Sequence, residues 1–258
     1  MTVLDKDLVA AIESSLFMYP AVPGLTEDLG VPGVHGRTTS CSHPLANLVG
    51  DARLDEETAD ATIDRVARRF KGERKAFGWV TGPSTTPGDL PRRLGRAGMT
   101  PIAHLAGMAV TDLDLEIRTN PSVRVREVTP AETIDASEMM GRAYGLPTDV
   151  TTMFNRLVAT MQSRAYFAYL DSEAPVAWSY LVYVPKTPIV LLGGAATLSE
   201  VRGQGLYSAL VKKRLEDAHA DGREAAVIQA DRDTSAPICA KLGFRELCSL
   251  EVFGWMPE

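Results

Sequence analysis

One stretch of this chain constrains its fold more than any other. An apolar run, Ile189 to Leu192, enters the small residues Gly193-Gly194-Ala195-Ala196-Thr197-Leu198. The turn Arg202-Gly203-Gln204-Gly205 follows, then a segment with Tyr207, Val211, Leu215 and Ala218 on one helical face. Strand, glycine turn and helix in that order aim successive backbone N–H groups and the positive end of a helix at one point, which suits a pyrophosphate. Glycine lets phosphates approach the backbone closely. Arg202 is expected to add a positive charge, and Tyr207 reads as a core residue in the first helical turn.

Arg202-Gly203-Gln204-Gly205-Leu206-Tyr207 resembles the acyl-CoA signature of the GNAT superfamily of N-acetyltransferases, Arg/Gln-x-x-Gly-x-Gly/Ala. The last position departs from it, because Tyr207 replaces a small residue. Thr234 to Phe244 resembles the helix and Leu-Gly-Phe ending that closes the GNAT core. Between the two lie a helix ending at Asp221-Gly222 and a buried-looking strand, Ala225 to Ala230. The resemblance covers about Val123 to Phe253. It implies an α+β (α/β) GNAT fold, a mixed, mostly antiparallel sheet flanked by helices. It also implies acetyl-CoA, or another acyl-CoA, as co-substrate, with no metal. The residues that would hold it are Ala196, Thr197 and Leu198 on a strand splayed from its neighbour, the turn residues Arg202, Gly203, Gln204, Gly205, Leu206 and Tyr207, and Ser235. The acceptor would be an amine of a small molecule or peptide.

Acyl transfer to an amine needs a base and a proton donor for the leaving thiolate. In many GNAT enzymes the donor is a Tyr just before the Leu-Gly-Phe ending; here that position is Cys239, and no Tyr follows Tyr207. A thiol, with an ordinary pKa of about 8.5, can protonate a thiolate of similar pKa. The plainer expectation is that Cys239 packs in the core, as small free cysteines commonly do. Glu200 and Asp231 are candidate bases by position, and Tyr180 and Tyr183 lie on the third strand of this half. None of them stands out as the base.

Val123 to Val128 alternates and predicts an edge strand. Thr129-Pro130-Ala131-Glu132 forms a capping box opening a helix to Tyr144-Gly145. A second helix is expected over Thr148 to Gln162, then strands over Arg164 to Leu170 and Pro175 to Val184. Arg245 to Trp255 closes the sheet. Earlier in the chain, Glu57 to Phe70 predicts a helix, Ala76 to Val80 a strand, Asp89 to Ala97 a helix and Thr100 to Val110 a strand. Phe77 to Gly107 thus repeats the order of Val227 to Val252, with Ala97-Gly98-Met99 matching Leu242-Gly243-Phe244. A tandem of two GNAT-like lobes is expected: residues 1–110 a degenerate lobe without the glycine turn, 111–121 a linker, and 122–258 the acyl-CoA lobe. An unrelated α/β cap is the alternative for the first part.

Composition excludes several rivals. Hydrophobic content of 45% with 23% charged residues is that of a globular chain, and no apolar run reaches the length of a membrane span. A net charge of −6 without a basic block disfavours nucleic acid and anionic membrane. The small basic cluster Arg68-Arg69, Lys71, Arg74 and Lys75 fits a helix C-terminus, with a tRNA acceptor as the minor alternative. Cys41, Cys239 and Cys248 form no Cys-x-x-Cys pair, Cys41-x-His43 lacks further metal ligands, and Met1 to Asp7 is too polar for a signal peptide. A cytoplasmic monomer or homodimer is expected. A GNAT-fold transferase using a carrier-bound acyl group or aminoacyl-tRNA, and a CoA-sensing module without catalysis, are the competing functions.

Overall fold

A computed structural model describes residues 3–257. In chain order the elements are α1 (Asp5–Ser14), β1 (Thr26–Asp28), β2 (His35–Thr39), β3 (Leu48–Gly50), α2 (Glu56–Gly72), β4 (Phe77–Thr81), α3 (Leu90–Arg96) and β5 (Thr100–Val110). After these come β6 (Val123–Val128), α4 (Pro130–Asp135), α5 (Ser137–Tyr144), α6 (Thr148–Val158), β7 (Ser163–Leu170), β8 (Ala177–Tyr183), β9 (Ile189–Leu191) and β10 (Ala195–Thr197). A 3₁₀ turn (Ser199–Val201), α7 (Leu206–Ala220), β11 (Ala225–Asp231), α8 (Ala236–Lys241) and β12 (Arg245–Trp255) complete the chain. No helix among the described residues is long and apolar enough to cross a membrane.

The chain forms two compact units. The first takes the chain up to Tyr19 and Gly107–Leu247; the second takes Pro20–Ala106 and Cys248 onward. This division differs at both ends from a cut at residues 111–121. The helix α1 belongs with the first unit because Gln229 Nε2 on β11 donates to the Ile12 carbonyl at 2.5 Å and to Ser15 Oγ at 2.7 Å. The end of β12 belongs with the second because Glu251 to Trp255 pair antiparallel with Thr81 to Phe77. Residues 111–121 carry no helix or strand, yet Leu113 and Ile117 are buried.

In the first unit the strand order is β6-β7-β8-β9-β11-β5, with β10 also on β8. The strands β6 to β9 are antiparallel to their neighbours, whereas β9 and β11 are parallel. Alternation along the strands sorts the two faces. Trp178 Nε1 donates to the Met140 carbonyl on α5, and the Tyr180 hydroxyl to Asn155 Oδ1 on α6. On the opposite face the Tyr166 hydroxyl donates to Asp217 on α7. The capping box forms: Glu132 N donates to Thr129 Oγ1, and Thr129 N to Glu132 Oε2 at 2.8 Å. Arg126, and then the Thr129 bonds, hold the Glu132 carboxyl down at about 2. The single helix expected after it is two, α4 and α5, broken at Ala136. The cause is Asn155, whose Nδ2 donates to the Thr133 carbonyl at 2.6 Å and so competes for the acceptor of the next helical bond.

In the second unit the order is β1-β2-β3-β4-β12-β5. Its core packs α2 and α3 on the sheet through Ile63, Val66, Phe70, Phe77, Trp79, Leu90 and Leu94, with the Phe70 and Phe77 rings stacked at 4.7 Å. The strands β3 and β4 are parallel across α2, as β9 and β11 are across α7. The short helices α3 and α8 then end alike. Gly98 and Gly243 have positive φ, and the next residue reaches back five positions: Met99 N donates to the Leu94 carbonyl at 3.1 Å and Phe244 N to the Cys239 carbonyl at 3.0 Å. These caps make Leu94 and Cys239 equivalent positions.

Candidate functional site

The site forms in the first unit where the segment that follows β9 leaves β11. The last bond between these segments runs from Leu192 N to the Val227 carbonyl, at 2.9 Å. The chain then turns at Gly193-Gly194, and β10 pairs with β8 alone. Gly194 is required there: a Cβ would stand 2.9 Å from the Trp178 ring. Leu198 N donates to the Val176 carbonyl, so by antiparallel alternation Ala196 and Leu198 bond to β8, and Ala195 and Thr197 turn their backbone groups to the open edge. Of Ala196, Thr197 and Leu198, therefore, only Thr197 offers its N–H to a ligand strand, and Ala195 joins it.

The turn follows. Gly203 and Gly205 both adopt positive φ, and a Cβ on Gly203 would meet open space. Gly205 is the N-cap of α7; the helix has no side-chain cap and no acid in its first turn. The N–H groups of Leu206, Tyr207 and Ser208 thus open the helix without a carboxylate beside them. Asn120 Nδ2 donates to the Gln204 carbonyl at 3.0 Å and fixes the turn's outer side. Leu206 anchors the helix in the core. Arg202 differs from expectation: its Nε donates to the Thr197 carbonyl at 3.2 Å and Nη2 to the Ala143 carbonyl at 3.4 Å. The guanidinium braces β10 against the end of α5, so an anion at the turn would be held chiefly by its backbone.

The candidate acids and bases separate. Cys239 is fully buried on α8, with its Sγ 3.4 Å from the Tyr207 hydroxyl, either able to donate. Burial pushes both groups above their ordinary pKa. Tyr207 is half-buried rather than a plain core residue. Ser235 is the N-cap of α8, and its carbonyl accepts from Cys239 N at 2.9 Å. Glu200 is exposed and turned to Arg142 at 3.4 Å; its own backbone N–H and the Ser199 hydroxyl hold its carboxyl low, which makes it a weak base. Asp231 spends one oxygen on Asp233 N, Thr234 N and the Thr234 hydroxyl. Tyr180 is committed to Asn155.

Tyr183 lies apart from this cluster. Ala177, six residues earlier on β8, is the residue that faces Thr197, which puts Tyr183 about 20 Å along the strand. Its hydroxyl donates to Asp221, its ring lies under the Arg223 guanidinium at 4.7 Å, and burial, then Asp221, pushes it up to about 12. It lines a separate hollow of about 450 Å³ with Glu127, Arg164 and Asp221. Tyr183 is three residues from Tyr180 and so points to the opposite face. Two residues that sequence reasoning missed stand at the site. Asn120 is in the segment read only as a linker, and Tyr144, 46% exposed at the end of α5, has its ring 5.8 Å from Trp178.

No protein-family model matches the chain, and no curated protein matches it. Solved structures do. The chain is similar to a GCN5-related N-acetyltransferase from Kribbella flavida, at TM-score 0.71 and 18% identity over 98% of this chain and 96% of that one. It is also similar to a tandem GNAT protein from the clavulanic acid biosynthesis pathway, at TM-score 0.63 and 14% identity over 100% and 97%. A GCN5-related N-acetyltransferase from Sphaerobacter thermophilus aligns at TM-score 0.66 and 12% identity over 86% and 76%. The chain has the GNAT fold, as the resemblance of its second half implied.

Proposed function

We propose that this protein is an acyl-CoA-dependent N-acyltransferase that moves an acetyl group from acetyl-CoA to an amine of a small molecule or peptide. The observation that carries the reading is the α7 N-terminus: uncapped, free of acids, preceded by two positive-φ glycines and set beside the unpaired edge of β10. That combination suits a pyrophosphate at the helix and an extended amide chain along Ala195 and Thr197. The same edge N–H groups are suited to hold the thioester carbonyl oxygen as charge builds on it. The unit that holds Pro20–Ala106 would be a second, degenerate GNAT-like lobe of a cytoplasmic tandem protein, monomeric or homodimeric.

Acetyl-CoA is expected to stabilise the protein by about 2.7 kcal/mol at a hundredfold excess over Kd, read as a rise in Tm. A thiol-release assay over a panel of amines then tests transfer. Stabilisation with no thiol released from any amine would favour a CoA-sensing module, and no stabilisation by any CoA ester would favour a donor of another kind.

A further inference from the structure

The helix α7 carries a charge that donor binding does not use. Arg214 is fully buried. Its Nε donates to the Leu210 carbonyl at 3.0 Å and Nη1 to the Tyr180 carbonyl at 3.2 Å, while Nη2 has no hydrogen-bond partner. A guanidinium stays charged at any pH a protein meets, and burying one without an anion is costly. The polar side chains that feel its charge are Tyr207, about two turns up the same helix, Cys239 on α8 and Tyr166 on β7. Tyr144, on α5, also acts on Tyr207 electrostatically. The carboxylates on the surrounding elements are engaged elsewhere: Asp217 by Tyr166 and Lys213, and Asp231 by its own loop. The built-in positive charge therefore acts on a Tyr–Cys pair 3.4 Å apart.

We propose that Tyr207, Cys239 and Arg214 form one proton-delivery unit: Tyr207 protonates the departing thiolate, Cys239 reprotonates Tyr207, and Arg214 holds the negative charge left on sulfur. The proposal rests on the acyltransferase reading above. In the step, the amine nitrogen bonds to the acyl carbon and the carbon–sulfur bond breaks, its electron pair going to sulfur. The Tyr207 proton moves to that sulfur, the Cys239 proton to the phenolate, and the proton lost by the amine passes through solvent to the half-buried Tyr207 hydroxyl, which hands a proton on to the buried Cys239 thiolate. Reprotonation runs downhill, since a thiol is ordinarily more acidic than a phenol by about 1.5 units. Burial opposes a thiolate at Cys239, while the Tyr207 hydroxyl and the Arg214 charge favour it. Tyr207 is the catalytic member; Cys239 and Arg214 act through it.

The test pairs a titration with kinetics. The carbon-13 signal of labelled Cys239, assigned with Cys239→Ser, is followed against pH in the wild type, Arg214→Met and Arg214→Lys. Met matches the length of the buried Arg stem and removes its charge, which relieves the cost of burying it, and Lys keeps the charge should Met not fold. Arg214→Met is expected to raise the Cys239 midpoint by about one pH unit, with Lys giving a smaller change. With acetyl-CoA and an accepted amine, Tyr207→Phe should lower kcat about a hundredfold and leave the KM for acetyl-CoA within about threefold. An unchanged Cys239 midpoint in both Arg214 variants, or an unchanged kcat in Tyr207→Phe, overturns the unit with the acyltransferase reading intact. Failure of acetyl-CoA to bind the wild type overturns that reading and delivery to a thiolate with it, whatever the titration shows.

Discussion

The two units build the same strand–helix–strand frame and finish it differently. In the first, β9 and β11 part after Leu192, and α7 opens on a left-handed glycine with no acid in its first turn. In the second, the corresponding segments stay together beyond β3 and β4. Arg53 bridges to Thr86, Leu54 N donates to the Thr86 carbonyl at 3.2 Å, and Thr86 N to the Ala52 carbonyl at 3.0 Å. There α2 opens on Asp55, Glu56 and Glu57, three carboxylates at the end of a helix where an anion would have to sit. A parallel βαβ frame is therefore not in itself an anion site. On the reading proposed above, two further conditions make one: strand ends that come apart, and a helix start without carboxylates.

The equivalence of Leu94 and Cys239 gives the largest test of this comparison. Leu94→Ala should cost about 2–5 kcal/mol of stability, as core truncations do, and leave acetyl-CoA binding intact. A denaturant melt that shifts by less than half of that would show that the α3 position is not the core anchor of its unit. Next comes the turn. Gly205→Ala and Gly205→Glu both strain the left-handed cap, but only Glu brings a charge to the helix start, as Glu56 does in α2. We expect Ala to retain part of the acetyl-CoA stabilisation and Glu to abolish all of the roughly 2.7 kcal/mol expected at a hundredfold excess. Equal loss in both variants would mean that backbone shape alone governs the site. Smaller still, Cys239→Ala should cost about 1 kcal/mol, because fewer atoms leave the core than at Leu94. The smallest effect concerns Glu132. Its folded pKa lies below the unfolded value, so its contribution is present above about 4.5 and disappears as pH falls toward 2. Thr129→Ala should flatten the acid limb of a stability–pH curve in that window; an unchanged limb would count against the capping box.

Local chemistry was legible in the residues. The Thr129–Glu132 box, the glycine caps at Gly98 and Gly243 and the positive-φ glycines of the turn before α7 all rest on geometry within a few positions. What stayed hidden depends on distant partners. The helix break at Ala136 is made by Asn155, Asn120 reaches a turn 84 residues away, and Tyr207 meets Cys239 across 32 residues. The three-to-five-residue strands β1 to β3 carry too little alternation to read. That Tyr183 stands apart from the splay was hidden for a simpler reason: alternation tells which face a strand residue takes, and says nothing of which end of the strand the chemistry occupies.

The chain's path has a practical consequence. The strand that follows α8 finishes beside β4, and the strand that follows α3 reaches β11. A cut in residues 111–121, dividing the gene to express two halves, would take Glu251–Trp255 away from β4 in one fragment and β5 and α1 away from β11 in the other. Each fragment would lose its closing strand, and the second fragment α1 as well, leaving a bare row of backbone donors and acceptors ready to pair with any strand it met. Such halves should recover solubility when co-expressed and aggregate when made alone.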